Sequence, residues 1–559
     1  MRTRGDSRFR ERSDYRKGLR LNHTFRAFQA AGLAALLSCS LFVFGWRVVA
    51  SARSAQDDAP AARAKRGKQI YERGTSTSGR EILAYVGDSS VEVPGSAMPC
   101  ANCHGLDGLG KPEAGVTPSN LTWEALTKPY GVTHQGGRTH PPYTERGLEF
   151  AIERGVDPAG HKLANVMPRY QMAPEDLKDL VAYLRRLGKD LDPGLTQRTI
   201  TIGTIVPNRP ELAGIGRAIT DVTRAFFDEI NSQGGIYNRR LELKVTQIGN
   251  APANATTDAR RFIEEEGVFA LSSPFVVGAD KELAGLMEEL ELPVVAPITL
   301  YPQVGYPLNR HVFYLLSGVE QQARALVGFA ASTSATKRAG LLIVVRDRDK
   351  SEGLIQAIKD ESSKTGWSSA AEYRYPAAES EMAAFVTMLK QTGKSDIIFL
   401  GSGKDEVAFL TESVKLHWLP TVYVPGGLGG NEVFEAPIGF NQKLFFSFPN
   451  PPEDQIAEGM TEFRAFAEKY RLPVENPATQ ILVYSAAKIL VEGMKKAGKE
   501  LSREKLVQSL EGLYEYPTGL TPAITYGTNR RIGAMGSYIV TVDLEKKRFV
   551  PIGGWVSVN

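Results

Sequence analysis

The chain has 559 residues, 42% of them hydrophobic and 23% charged, which is too long for one core and too mixed for a disordered or fibrous protein. Its net charge is only +4, and eight basic side chains fall in the first 20 residues (Arg2, Arg4, Arg8, Arg10, Arg12, Arg16, Lys17 and Arg20). The remainder is therefore near neutral, which argues against nucleic-acid binding, and three cysteines cannot supply a disulfide framework.

The N-terminus reads as an address. Residues 1–26 form a basic arm expected to stay in the cytoplasm. Phe28 to Trp46 is an uncharged run of 19 residues, ended by Arg47 and long enough to span a bilayer. Residues 27–50 are thus either a membrane anchor or a signal peptide with a cleavage site at Ala50-Ser51-Ala52. A lipoprotein box at Leu36-Leu37-Ser38-Cys39 is a third reading, weakened by the apolar run after the cysteine. All three place the rest of the chain in the periplasm, and a retained segment at 27–47 would hold it to the inner membrane. Residues 51–63 read as a flexible linker.

A first domain is expected over residues 64–192. Lys65 to Gly74 reads as a short helix, and the polar stretch from there to Met98 as an insertion or a short hairpin. Then comes Cys100-Ala101-Asn102-Cys103-His104. Two thiols three apart with a histidine directly after them form the attachment signal of one covalent haem c. Each thiol would add across a vinyl group, leaving the His104 imidazole as proximal iron ligand. A zinc half-site would need a second ligand pair, and a redox dithiol would not need the histidine. A Pro- and His-rich loop follows from Thr127 to Tyr143. Glu145 to Gly155 and Pro174 to Leu187 then read as helices, the latter with Leu177, Leu180, Val181 and Leu184 at helical spacing.

The sixth iron position has three candidate ligands, or is left open. Met167 precedes Pro168, which stiffens an extended loop and keeps it out of the following helix. His161 would give a bis-histidine site of lower potential, and Met172 reads better as a core residue. Met167 is the expected ligand.

Residues 64–190 resemble a class I cytochrome c domain. The matching pieces are Gly67-Lys68-Gln69-Ile70-Tyr71, Cys100 to Gly105, Met167-Pro168-Arg169-Tyr170 and the helix around Asp179 to Leu184. The resemblance implies an all-α fold with haem c as its cofactor.

The pattern changes at Arg198. Thr199 to Pro207 is strand-like, Arg217 to Gln233 is an amphipathic helix, and Leu241 to Ile248 returns as a strand. The cycle continues through Val268–Leu271, Pro293–Ala296, Arg338–Val345, Ile397–Leu400 and Thr421–Val424. This alternation predicts parallel sheets with right-handed crossovers, and its length predicts two lobes. Gly214-Ile215-Gly216 lacks the third glycine and the acidic residue of a dinucleotide fingerprint.

Residues 198–559 resemble the type I periplasmic binding proteins, the Leu/Ile/Val-binding group. The carrying segments are Ile202 to Pro207, Asn231 to Ile236, Ala270 to Pro274 and Leu292 to Pro297. The resemblance implies an α/β fold of two lobes that close on a solute, with the chain crossing between them near Ser317, near Phe448 to Pro452 and near Leu513. It also implies ligand contacts from Ser272 and Ser273, on the loop after a lobe-one strand, and from Thr299. Arg346, at the end of a lobe-two strand, would favour an acid. Ser272 and Ser273 could instead cap a helix, and Arg346 could be a surface charge.

Three functions compete. The first is an exported electron-transfer protein whose binding domain captures a small-molecule solute and whose partner is a periplasmic redox protein or dehydrogenase. The second is a receptor for an ABC permease carrying a cytochrome appendage. The third is an enzyme working through the haem, for which no catalytic constellation is visible in the second half.

Overall fold

The computed structural model describes residues 60–558, apart from 88–89, 111, 113–114, 135, 190, 250–251, 337–338, 348–350, 377 and 452–455. The expected membrane segment lies outside the described residues, among which no helix is long and apolar enough to cross a membrane. The chain divides into two compact units, one ending at Asp190 and the other running from Leu191.

The first unit is framed by helix α1 (Pro60–Arg73), the turn α2 (Cys100–His104), and helices α3 (Trp123–Leu126), α4 (Glu145–Arg154) and α5 (Pro174–Leu184). Helices α1 and α5 cross at Gly67, where a Cβ would lie 1.9 Å from the Asp179 carbonyl oxygen, so only glycine permits this approach. The pair Arg66–Asp179, at 2.5 Å, locks the crossing, and Tyr71 packs tilted against Tyr183 with ring centroids 5.3 Å apart. Thr144 caps α4 by accepting from the Gly147 amide at 3.1 Å, and Gly155 ends it in the left-handed region.

The all-α expectation for this unit needs correcting. Strands β1 (Leu83–Val86) and β2 (Val91–Pro94) form a hairpin in the stretch before the haem signal. A third strand, Arg169–Gln171, pairs antiparallel with β1 through Ala84 and Tyr170. The hairpin is the short one allowed for above. Its third strand is a three-residue segment more than 80 positions away, too short to carry a periodicity. A two-stranded hairpin, β3 (Val132–Thr133) and β4 (Thr139–His140), lies within the Pro/His-rich loop. The strand at Arg169–Gln171 is β5.

In the second unit, lobe one has six strands in the order β16-β10-β9-β8-β6-β7, all pairs parallel. Those strands are β6 (Thr199–Val206), β7 (Arg240–Gln247), β8 (Ala270–Ser272), β9 (Val294–Val295), β10 (Val312–Leu316) and β16 (Ile532–Ala534). Helix α6 (Ala213–Ser232) packs with α13 (Ala457–Lys469), α14 (Pro477–Ala497) and α15 (Arg503–Glu511) in one core cluster. Helices α7 (Pro252–Glu265) and α8 (Asp280–Glu289) share a second cluster. Alternate strand residues divide between the two, Ile200 and Ile202 in the first and Ile205 and Leu271 in the second.

Lobe two repeats this plan with seven strands, β12-β11-β13-β14-β15-β17-β18, the first five parallel and the last two antiparallel. They are β11 (Leu341–Arg346), β12 (Ala370–Tyr375), β13 (Asp396–Leu400), β14 (Thr421–Pro425), β15 (Leu444–Phe448), β17 (Gly536–Asp543) and β18 (Arg548–Ser557). Leu342 and Val344 face the cluster of α11 (Met382–Gln391) and α12 (Gly403–Lys415). Leu341, Ile343 and Val345 face that of α9 (Val319–Thr333) and α10 (Glu352–Lys364).

The chain passes between lobes at Ser317, between Phe448 and Ala457, and at Met535. The third crossing was expected near Leu513, which lies in the lobe-one core instead. After Leu513 the chain returns through a bridged loop (Tyr516 with Ile524) and adds the three-residue strand β16 to lobe one before leaving. The Ser317 hydroxyl donates to the Gly536 carbonyl at 2.5 Å, tying the first crossing to the third.

Candidate functional site

In the first unit, Pro99 starts and Gly105 ends the single turn that carries Cys100, Cys103 and His104. Cys103 is exposed, and Cys100 is half-buried against the core, where desolvation pushes its thiol up to about 12. His104 is buried, and its Nδ1 lies 2.8 Å from the Ser119 carbonyl. A carbonyl can only accept, so Nδ1 carries the proton and Nε2 keeps its lone pair, with no hydrogen-bond partner among the described residues. Desolvation also holds the imidazole below its ordinary range, which favours the neutral ring an iron needs. This donor set fits a covalently attached haem: two reachable thiols and an imidazole with one nitrogen fixed and the other free.

Met167 is half-buried and packs against the same core cluster as Cys100, whereas Met172 lies within that cluster. Arg169 braces the Met167 loop. It donates to the Met167 carbonyl and, at 3.2 Å, to the Leu163 carbonyl. Its guanidinium passes over Gly155, where a Cβ would lie 1.6 Å from Nε. His161 is exposed and sits 3.4 Å from the Asp157 carboxylate. The brace and the tyrosine hydroxyls, Tyr71 to the Gly105 carbonyl at 2.7 Å and Tyr170 to the Met98 carbonyl at 2.6 Å, were missed from the sequence. Tyr170 and Arg169 directly follow Met167-Pro168, so position alone could have flagged them.

In the second unit, Ser272 ends β8 and Ser273 follows in the left-handed region, φ +47°. Both are fully buried, and neither hydroxyl has a partner. The Ser273 amide donates to Val295 at 2.9 Å, so only the hydroxyls are left over. They stand at the carboxyl edge of a parallel sheet, where solutes bind in open α/β folds. Thr299, in the same lobe, is already engaged: it donates to Asp280 and accepts from the Tyr301 amide at 2.8 Å.

Arg346 stands at the carboxyl edge of the lobe-two sheet, 3.8 Å from Asp405. Asp405 also accepts from Tyr375 at 3.0 Å and from Ser402 at 2.8 Å. Arg346 is thus part of a neutralised cluster rather than a lone cation. Asp405 and Tyr375 were missed. The Ser402-Gly403-Lys404-Asp405 capping pattern was the available signal, and Ser402 does cap α12, accepting from the Asp405 amide at 3.3 Å. A cavity of about 500 Å³ opens at the carboxyl ends of β6 and β7 in lobe one, lined by Pro207, Asn208, Arg209, Arg217, Asp221 and Gln247 among others. Neither serine lines it.

Comparison with known proteins identifies both units. A family model described as periplasmic binding protein matches residues 199–548, and one described as cytochrome c matches residues 92–188. The Leu/Ile/Val-binding protein BraC3 of Rhizobium johnstonii is 23% identical over 338 residues, 60% of this chain and 89% of that protein. The Leu/Ile/Val-binding protein homolog 3 of Brucella melitensis is 21% identical over 54% of this chain and 79% of its own. Among solved structures, a fatty acid ABC transporter substrate-binding protein from Thermomonospora curvata superposes with a TM-score of 0.52 at 16% identity, over 66% of this chain and 95% of its own. A branched chain amino acid ABC transporter from Thermus thermophilus with bound valine gives 0.52 at 15% identity, over 65% and 97%. The chain belongs to the periplasmic binding protein family and carries a cytochrome c domain ahead of the binding domain.

Proposed function

We propose that the chain is an exported electron-transfer protein with one haem c, in which solute capture by the binding domain sets how the cytochrome unit meets a periplasmic redox partner. That partner is a redox protein or a dehydrogenase. When bound, haem c supplies one-electron transfer. Cys100 and Cys103 would hold it by thioether bonds, His104 would offer Nε2 to the iron, and Met167 would offer its thioether. Arg169 holds the Met167 loop by two carbonyls.

One observation carries the solute half of this reading: Ser272 and Ser273 are fully buried hydroxyls with nothing to bond. An unmet buried hydroxyl costs about 1–3 kcal/mol, and a solute acceptor at the sheet edge would recover it. On lobe two, Arg346 and Asp405 present one charge of each sign. That pairing suits a solute carrying both an anionic and a cationic or amide group better than a simple acid, which would have to displace Asp405.

The test is a thermal-shift screen of amino acids, amides, small acids and alcohols, followed by titration calorimetry on Ser272→Ala with Ser273→Ala. The reading requires a solute whose affinity falls in that double variant. Unchanged affinity would move the site away from the serines. A fold neighbour described as an ABC transporter substrate-binding protein favours a second reading, in which the binding domain serves an ABC permease. Solute uptake that depends on the protein but not on Cys100 and Cys103 would select it.

A further inference from the structure

The Pro/His-rich loop of the cytochrome unit holds a feature that neither electron transfer nor solute binding uses. Strands β3 and β4 pair antiparallel, Val132 opposite His140 and Thr133 opposite Thr139. The His134 amide donates to the Arg138 carbonyl at 2.9 Å and the Gly137 amide to the His134 carbonyl at 2.9 Å, closing the turn. This hairpin brings the Nε2 atoms of His134 and His140 to 3.0 Å from each other.

His140 is buried, and its Nδ1 lies 2.8 Å from the Pro141 carbonyl. The carbonyl only accepts, so Nδ1 carries the proton and Nε2 is a bare lone pair in the neutral ring. The Tyr143 ring packs edge-on at 4.9 Å and fixes the imidazole. A backbone carbonyl on one imidazole nitrogen is what orients the other toward a metal ion. The base of the hairpin is held from outside: Arg138 pairs with the buried Asp157 carboxylate at 2.6 Å, which also accepts from the Ala159 and His161 amides at 2.9 Å each. Asp157 is therefore spent on anchoring and is not a third ligand.

The spacing is that of two ligands on one ion. Two nitrogens each 2.0–2.1 Å from a metal are about 2.9 Å apart at a right angle and about 3.3 Å apart at the tetrahedral angle. The observed 3.0 Å falls between. His134 is only partly buried, and the side-chain faces of Gly136 and Gly137 meet open space, so an ion and its waters can reach the pair. Among the described residues no group of three or more His, Cys, Asp or Glu side chains converges, which leaves water or a passing ligand to complete the shell.

We propose that His134 and His140 form a two-histidine site for a divalent transition-metal ion of the copper or zinc class, separate from the haem iron. Imidazole nitrogens select such ions over magnesium or calcium. Two protein ligands make it an exchangeable site rather than a structural one.

The experiment uses tag-free, haem-loaded full-length protein stripped of loosely bound metal. Zn²⁺ is titrated by calorimetry, and Cu²⁺ by electron paramagnetic resonance, where nitrogen hyperfine structure reports imidazole ligands. The expected result is one saturable equivalent beyond haem iron, weakened roughly tenfold or more in His134→Ala and in His140→Gln. His161→Ala should bind as the parent does. Unchanged haem spectra and melting temperatures establish that each variant is folded. Should His140→Gln unfold, His134→Ala alone decides, since that side chain is only partly buried. No saturable equivalent, or equal affinity in His134→Ala, would overturn the site and leave the pair as a plain N–H···N hydrogen bond.

Discussion

His104 and Glu406 show opposite ways in which one buried titratable side chain can stand. His104 has its Nδ1 proton spent on Ser119 and one nitrogen left for the iron. Glu406, on the first turn of α12, is fully buried with no partner for either carboxylate oxygen. Desolvation, with Glu432 beside it, pushes its carboxyl up to about 8. The folded state thus holds a proton that the unfolded chain has released above the ordinary carboxyl range. Stability from this group is present at low pH and is lost as pH rises toward 8, at about 1.4 kcal/mol per pH unit within that window. Glu406→Gln should remove that slope. Urea unfolding of the binding unit at pH 5.5, 7 and 8.5 would show it as a gain in midpoint that grows with pH, and an equal gain at all three would contradict the assignment. A second residue-scale prediction separates the methionines. Met167→Ala should abolish the near-infrared sulfur-to-iron band of oxidised protein, while Met172→Ala should keep the band and lower stability by about 2–5 kcal/mol as a core truncation. The reverse pattern would exchange their roles. The haem signal was legible because all its parts lie within five residues. Thr299 and Arg346 were legible as positions but not as states: their partners, Asp280 and Asp405, lie 19 and 59 residues away, and no local pattern announces such pairing.

Among the elements, the α1–α5 pair depends most on a single position. With the Asp179 carbonyl 1.9 Å from where a Cβ would stand at Gly67, and Tyr183 Cβ at 2.9 Å, an added methyl meets backbone that cannot swing aside. Gly67→Ala must push the helices apart and disturb the Arg66–Asp179 pair, at a cost of about 1–3 kcal/mol or more. The expected readout is a lower melting temperature of the cytochrome unit with haem still attached, because Cys100 and Cys103 lie on another element. An unchanged melting temperature would mean that the helices do not approach so closely. Helices and parallel strands were the legible part of the fold, since Ile219, Val222, Phe226 and Ile230 on α6 and the apolar runs of β6 and β11 carry strong periodicities. The three-residue strands β5 and β16 were not. Each is too short to show a pattern and exists only because a distant strand, β1 or β10, offers an open edge. Missing β16 is also why the third crossing was expected near Leu513.

For the whole molecule, the join between units is short. Leu187 belongs to the cytochrome core, and the Asp192 carboxylate already accepts from the Arg503 amide at 2.6 Å in the binding unit. Residues 188–191 remain, at most about 14 Å of extended chain. The residues that follow are built into lobe one, with Leu195 in its core and the Gly194 carbonyl accepting from the Thr201 amide at 2.8 Å. A solute can alter partner docking only if the partner's affinity differs between the open and the solute-closed protein. If it does, linkage requires the redox partner to change solute affinity by the same factor. Calorimetric titration of the solute into haem-loaded full-length protein, with and without the partner, measures that factor directly. Stopped-flow reduction of the haem by the partner, with and without solute, should shift in the same sense, while the haem midpoint potential stays within a few tens of millivolts, because the proposed iron ligands, His104 and Met167, both belong to the cytochrome unit. Equal solute affinity in the presence and absence of partner would reduce the chain to two independent modules. Consumption of the solute with one-for-two reduction of haem, one solute per two electrons, would replace a receptor with an enzyme.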